Sequence, residues 1–204
     1  MTDLRIHVVS GSHRVGSHSG RMARYIVKLL NEELGVSTQL LDLAEQPQRY
    51  WSDDFWQKPR EGWDEWDGIA AELRESHGLV VVAPEWHGMV PSALKNFFLL
   101  CGPDELADKP AMIAAVSGGA GGAYPVAELR MSSYKNNRLC YIPEHVILRE
   151  VSKLFLDESA PTESDVYLRG RLLHGLRLLA AYAEALNGVR AAGIRDLSAY
   201  RNGM

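Results

Sequence analysis

Two cysteines, Cys101 and Cys140, are all that the 204 residues contain. Neither belongs to a C-x-x-C pair or has a histidine at ligand spacing, so a disulfide framework finds no support and reduced thiols are expected. The seven histidines include no H-E-x-x-H or comparable spacing, which leaves a bound metal without support. No apolar run approaches the roughly 20 residues of a membrane span. The opening Met-Thr-Asp-Leu-Arg lacks the pattern of a secretory signal, so a cytoplasmic location is expected. Basic charge is not in excess either. With 22 Lys and Arg against 26 Asp and Glu, the formal net charge is −4, and no general attraction to nucleic acid or anionic membrane follows. Ser/His/Asp and paired-carboxylate constellations are absent as well.

What is present is an ordinary globular composition, 46% hydrophobic and 24% charged, in a length suited to a single α/β domain over residues 1–204. Leu4 to Ser10 reads as a first strand. Met22, Tyr25, Ile26, Leu29, Leu30 and Leu34 recur at helical spacing from about Ser19, with Gly35 as the stop. Val36 to Leu43 is a second strand, completing a right-handed βαβ unit. Residues 44–64 are irregular and carry Tyr50, Trp51, Phe55, Trp56 and Trp63, which read as packing or dimer contacts rather than a lid. A helix follows over Glu65–Ser76, then Gly78–Ala83, apolar after its glycine and suited to a central parallel strand. Pro91 fits the first turn of a helix that is apolar nearly all round after Asn96, which predicts burial or a subunit contact over 94–101. Pro110–Ser117 is a fourth strand, Val126–Tyr134 a helix, and His145–Leu148 a short fifth strand. Thr162-Glu-Ser-Asp165 has the form of a capping box opening a long last helix that ends at Asn187-Gly188. Arg169, Arg171, His174 and Arg177 read as its solvated face. The tail from Ala191 lacks periodicity and is expected to be mobile or to dock.

Five strands alternating with helices make a doubly wound open sheet, in which ligands sit beyond the carboxyl ends of the strands. Three loops leave such ends: 10–19, 84–89 and 117–122. The first is the most telling. Hydroxyls at Ser10, Ser12, Ser17 and Ser19, with Arg14, precede a helix N-terminus whose free N–H groups favour an anion. The plain alternative is a serine-capped turn. Gly16 is followed by Ser17 and His18 instead of Lys and Ser/Thr, so this is no Walker loop, and Gly11, Gly16 and Gly20 do not fit G-x-G-x-x-G. A single terminal phosphate suits the loop better than a pyrophosphate.

Ser10-Gly-Ser-His-Arg-Val-Gly-Ser-His-Ser19 resembles the phosphate loop G-S-x-R-x-x-S of the NADPH-dependent FMN reductase family. Pro84-Glu-Trp-His-Gly-Met-Val-Pro-Ser-Ala-Leu-Lys-Asn96 resembles that family's flavin-ring loop, P-E-Y-N-G-S-x-P-x-x-L-K-N, and Ser117-Gly-Gly-Ala-Gly-Gly122 its glycine-rich loop. The likeness spans roughly residues 4–150. It implies a flavodoxin-like fold with five parallel strands in the order 2-1-3-4-5. It also implies FMN, with NADPH or NADH as hydride donor. By the same resemblance Ser12, Arg14, Ser17 and Ser19 hold the phosphate, with Ser19 where Asn is frequent. Pro84, Glu85, Trp86, His87 and Gly88 border the isoalloxazine, beside Ser117, Gly118 and Gly119. Trp86, His87 and Met89 depart from the pattern, which bears on potential and substrate preference more than on binding. The expected activity is reduction of a quinone, azo compound, free flavin or similar acceptor, by a homodimer or homotetramer. An FMN electron carrier that does not oxidise nicotinamide is the alternative, and a non-flavin phosphate-binding protein a third reading.

Overall fold

The computed structural model describes residues 4–57 and 59–203. Met1–Asp3, Lys58 and Met204 lie outside the described residues. The first positions that bear on a secretory signal, one position of the aromatic segment and the last residue of the tail are therefore among those not described.

Five parallel strands form one sheet in the order β2-β1-β3-β4-β5. They are β1 (Arg5–Ser10), β2 (Ser37–Asp42), β3 (Gly78–Pro84), β4 (Pro110–Val116) and β5 (Cys140–Leu148). The helices are α1 (His18–Leu34), α2 (Asp64–Glu75), α3 (Ser92–Leu100), the single turn α4 (Pro103–Leu106), α5 (Ala123–Met131) and α6 (Glu163–Ala191). Alternation along each strand splits the core into two layers. Ile6, Val8, Val80, Val82, Met112 and Ala114 pack with α1 and α6. Val9, Leu79, Val81, Ala83, Ile113 and Ala115 pack with α2, α3 and α5. All seven residues of β3 are buried, as expected of a strand covered on both faces. This is the flavodoxin-like, doubly wound arrangement.

Local chemistry sets the boundaries. Ser17 caps α1 by accepting from the Gly20 N–H at 3.0 Å, and Gly35 closes it in the left-handed region with its N–H on Leu30 O. Thr162 and Asp165 form the expected capping box at the start of α6.

Boundaries in α3, α5, β5 and α6 differ from the sequence reading. Pro91 is the N-cap of α3 and not its first helical residue. α5 begins three residues earlier than expected, directly after Gly122, and stops at Met131. β5 starts at Cys140 because it pairs with β4 across a register shift between Ala111 and Ile113, which lets the strand carry Pro143. α6 runs through Gly188 to Ala191, since Arg190 donates to Asp108 O at 2.8 Å and to Asn187, outweighing the glycine's poor helix propensity.

The aromatic segment lies on α3. Buried Asn96 accepts from the Trp51 N–H at 2.8 Å and donates to Arg49 O at 3.0 Å. Trp63 is buried, edge-on to Phe55, with the Arg49 guanidinium 4.6 Å above its ring. Packing therefore accounts for Trp51, Phe55 and Trp63, whereas Tyr50 and Trp56 stay exposed. The described tail lies against its own chain, with Arg195 paired to Asp108 and Arg138 donating to Tyr200 O. Arg169 and Arg171 on α6 are not simply solvated, because they pair with Glu33 and Glu144. No helix among the described residues is long and apolar enough to cross a membrane.

Candidate functional site

β1 leads through α1 to β2 on one side, and β2 crosses back through α2 to β3 on the other side of β1, so the strand order reverses between β1 and β3. The carboxyl ends of β1, β3 and β4 stand side by side there. Ser10 is level with Val82, and Pro84 with Val116. The loops 10–19, 84–89 and 117–122 leave these ends and form an open shelf.

The first loop, residues 11–19, contains three serines, two histidines and Arg14, and no carboxylate. Ser12 Oγ accepts from the Arg14 N–H at 3.2 Å, and Ser17 Oγ is occupied as the α1 cap. Both hydroxyls keep their own hydrogen to donate. Among the described residues, the backbone N–H groups of Val15 through Ser19 have no partner within the chain. Arg14 is exposed, while Ser12, Ser17 and Ser19 are buried. Partial burial, then repulsion from Arg21 and Arg14, pushes the His18 imidazole below its ordinary range. At neutral pH the loop is a cationic, donor-rich cradle. Ser10 is placed differently. It is the last residue of β1, its hydroxyl is closed off beneath the loop, and that hydroxyl has no partner.

The second loop is a tight mirror-image turn. Trp86 and Met89 exchange backbone hydrogen bonds, both 2.9 Å, and the two residues between them have positive φ: His87 at 51° and Gly88 at 72°. Two successive positive φ values define such a turn, which glycine makes without strain and histidine adopts only occasionally. The His87 and Gly88 N–H groups have no partner among the described residues. The following Val90 N–H donates to Glu128 at 2.7 Å, and Glu128 also pairs with Lys95. Burial works upward on the Glu128 carboxyl, but the bonds from Lys95 and Val90 outweigh it and hold it below its ordinary range.

The third loop begins with Ser117, whose hydroxyl accepts from the Gly119 N–H at 3.3 Å. Gly118 and Gly119 are exposed, and a Cβ on either would meet nothing within 4 Å, so their backbone faces open space. Gly122 closes the loop at φ 103°, where a Cβ would stand 2.3 Å from Ile147 Cγ2. No other residue fits there.

Three side chains join the loops. Glu85 turns its carboxylate away from the turn and accepts from the Gly122 N–H at 2.5 Å. His13 of the first loop packs edge-on against Trp86 of the second, with ring centroids 4.6 Å apart. Arg149, just past β5, donates to Ala120 O at 2.7 Å and Gly121 O at 3.0 Å. The sequence motifs give His13, Glu128 and Arg149 no role. The only signal for Arg149 is a cation directly after a strand end. Glu85→Ala removes a charge-assisted bond worth roughly 1.5–3 kcal/mol. Amide exchange at Gly122 is expected to accelerate about tenfold or more in that variant, and unchanged exchange would show the bond to be incidental.

Pro84, Glu85, Trp86, His87 and Gly88 are thus gathered beside Ser117, Gly118 and Gly119, with the donors of 12–19 across β1. The order and spacing of these loops match the family described as NADPH-dependent FMN reductase over residues 4–153. The chain belongs to that family. A quinone reductase of Escherichia coli K12 is 28% identical over 194 residues, covering 92% of this chain and 97% of the relative. An FMN-dependent NADPH-azoreductase of Staphylococcus saprophyticus is 28% identical over 125 residues, 61% of this chain and 66% of the relative. Among solved structures, the flavoenzyme NAD(P)H:(acceptor) oxidoreductase of Paracoccus denitrificans superposes with a TM-score of 0.68 at 19% identity, covering 91% and 98% of the two chains. That likeness is one of fold. The residues at the shelf suit the flavin this family uses. The cradle has cation and hydroxyls without competing carboxylates, and the bare glycine faces leave room for a flat ring.

Proposed function

We propose that this protein is an FMN-dependent NAD(P)H oxidoreductase whose electrons end on a quinone, azo compound, free flavin or similar small-molecule acceptor. The observation that carries the reading is the juxtaposition, at three neighbouring strand ends, of a carboxylate-free anion cradle and two turns that present bare backbone. Ser12, Arg14, Ser17 and Ser19 hold the phosphate, and Ser10 supports them from beneath without touching it. Pro84–Gly88 and Ser117–Gly119 border the ring, with the free N–H groups of His87 and Gly88 as donors to its polar edge. Such donors stabilise negative charge that develops on reduction. Bound FMN supplies the hydride and electron chemistry, so no catalytic side chain is required of the protein. Glu85, His13 and Arg149 keep the loops at fixed separation, and the open shelf lets donor and acceptor occupy the same face in turn.

A homodimer or homotetramer in the cytoplasm completes the reading. Its support is the exposed Leu99 and Trp56, which flank a largely apolar cleft of about 660 Å³ running from Val90 to Leu129. Light scattering on the purified protein should give at least twice the 22.7 kDa chain mass.

The deciding experiment is anaerobic addition of NADPH to the FMN-loaded protein. Rapid bleaching of the flavin absorbance is expected. A stable yellow colour would make the protein an electron carrier, and failure to bind added FMN would remove both flavin readings.

A further inference from the structure

The strands that carry the first and third loops, β1 and β4, are not neighbours, because β3 lies between them. Among the described residues no hydrogen bond joins these two loops directly. They are connected instead through the segment 150–155, which follows β5. On one side this segment holds the glycine-rich loop. The Glu150 N–H donates to Gly119 O at 3.0 Å, and the Val151 N–H to Ser117 O at 3.1 Å. On the other side it is held by α1. Arg21, in the first turn of that helix, donates through Nη2 to Val151 O at 2.5 Å and through Nη1 to Leu154 O at 2.6 Å. One turn further on, Tyr25 stacks on Phe155 with ring centroids 4.3 Å apart.

The segment does not take this shape by local preference. Glu150 and Phe155, at its two ends, both have positive φ, 45° and 51°. A bulky side chain adopts that region only where surrounding contacts over-determine it. Asp165 supplies one such contact, accepting from the Phe155 N–H at 2.7 Å. Arg21 supplies two more, and a forked guanidinium is the side chain suited to hold both carbonyls at once. The same helix start thus offers free N–H groups to an anion and, through Arg21, fixes the loop at the far end of the shelf.

Resting on the FMN reading above, we propose that Arg21 is a positioning residue that couples the phosphate end of the site to the ring end. Filling the cradle orders the start of α1, and with it Arg21, the 150–155 segment and the backbone of Ser117–Gly119. An isoalloxazine then meets a border already in place. Arg21 acts through the carbonyls of Val151 and Leu154 and need touch neither group.

The test is fluorescence titration of the apoprotein with lumiflavin, which has the ring system and no phosphate, with and without inorganic phosphate. In the parent, saturating phosphate is expected to tighten lumiflavin binding by about fivefold or more. Linkage requires lumiflavin to tighten phosphate by the same factor. Arg21→Met should abolish that factor. Arg21→Lys, which keeps the charge but lacks the fork, should leave an intermediate one. A residue that merely supported the fold would lower affinity for both fragments without changing the factor between them. Should Arg21→Met fail to fold, the lysine variant alone decides. An undiminished factor in either folded variant, or no coupling in the parent, overturns the proposal and leaves the flavin reading standing. Failure of the parent to bind FMN would overturn the flavin reading and this proposal with it.

Discussion

Replacing Arg14 and Ser17 together by alanine is expected to weaken FMN binding by at least about tenfold, measured by fluorescence titration of the apoprotein. On the proposed assignment each residue contributes a contact to the FMN phosphate, and contacts to charged groups are worth roughly 1.5–3 kcal/mol each. The loop contains no carboxylate whose removal could compensate. Ser17 also caps α1 through the Gly20 N–H, so its loss alone lowers stability by about 0.5–2 kcal/mol. Ser17→Asp separates the two roles. Aspartate caps a helix as well as serine does, but sets a negative charge against the phosphate. That variant should melt like the parent in the absence of FMN and bind FMN far more weakly. Unchanged affinity in a folded double variant would refute the phosphate assignment.

The second large effect concerns acid. His7, on β1 and level with Leu79 and Gln39, is buried, and neither ring nitrogen has a hydrogen-bond partner. Burial, with a smaller contribution from the Lys109 ammonium, pushes its pKa down to about 4 from the ordinary 6.5. Between those values the unfolded chain binds a proton that the folded one refuses. Stability from this group is therefore complete above about pH 6.5 and is lost as pH falls toward 4. A shift of that size corresponds to about 3 kcal/mol. His18 and His77 are shifted in the same direction, so the total slope exceeds the share of His7. Urea unfolding followed from pH 7 to pH 4 should show a steep decline that His7→Leu makes shallower. An equal slope in both proteins would mean that His7 is not the group titrating.

Much of the fold is legible in the sequence. β3 announces itself because every residue after its glycine is apolar, and Gly35 and the Thr162–Asp165 box mark helix ends through chemistry that acts over four residues. What the sequence hides depends on partners distant in the chain. Half of β5 is masked by Pro143 and a register shift that only β4 can accommodate. The end of α6 is set by Arg190 reaching the carbonyl of Asp108, which no local pattern reveals. The site follows the same division. Hydroxyls, glycines and Arg14 stand in contiguous motifs, and the loops they define are neighbours in the fold. The braces between loops, Glu85 to Gly122, His13 to Trp86 and Arg149 to Ala120, become pairs only when the sheet assembles. The motif around Glu85 makes it a border of the ring, yet its carboxylate is occupied in fastening another loop.

The parallel order of the sheet also governs when in the life of the chain a cofactor can be captured. The Gly11 N–H bonds to Val82 O, about seventy residues away, and the glycine-rich loop is tied down by backbone bonds from Glu150 and Val151 to Gly119 and Ser117. Closing loops of that length is entropically slow, so the three loops at the strand ends come together late in folding. On the ribosome, about three quarters of the polypeptide, through Val151 of 204 residues, must emerge before a flavin meets a finished site. A flavin that binds only the assembled site stabilises the folded protein by mass action, so its free concentration helps set what fraction of the finished molecules stays folded.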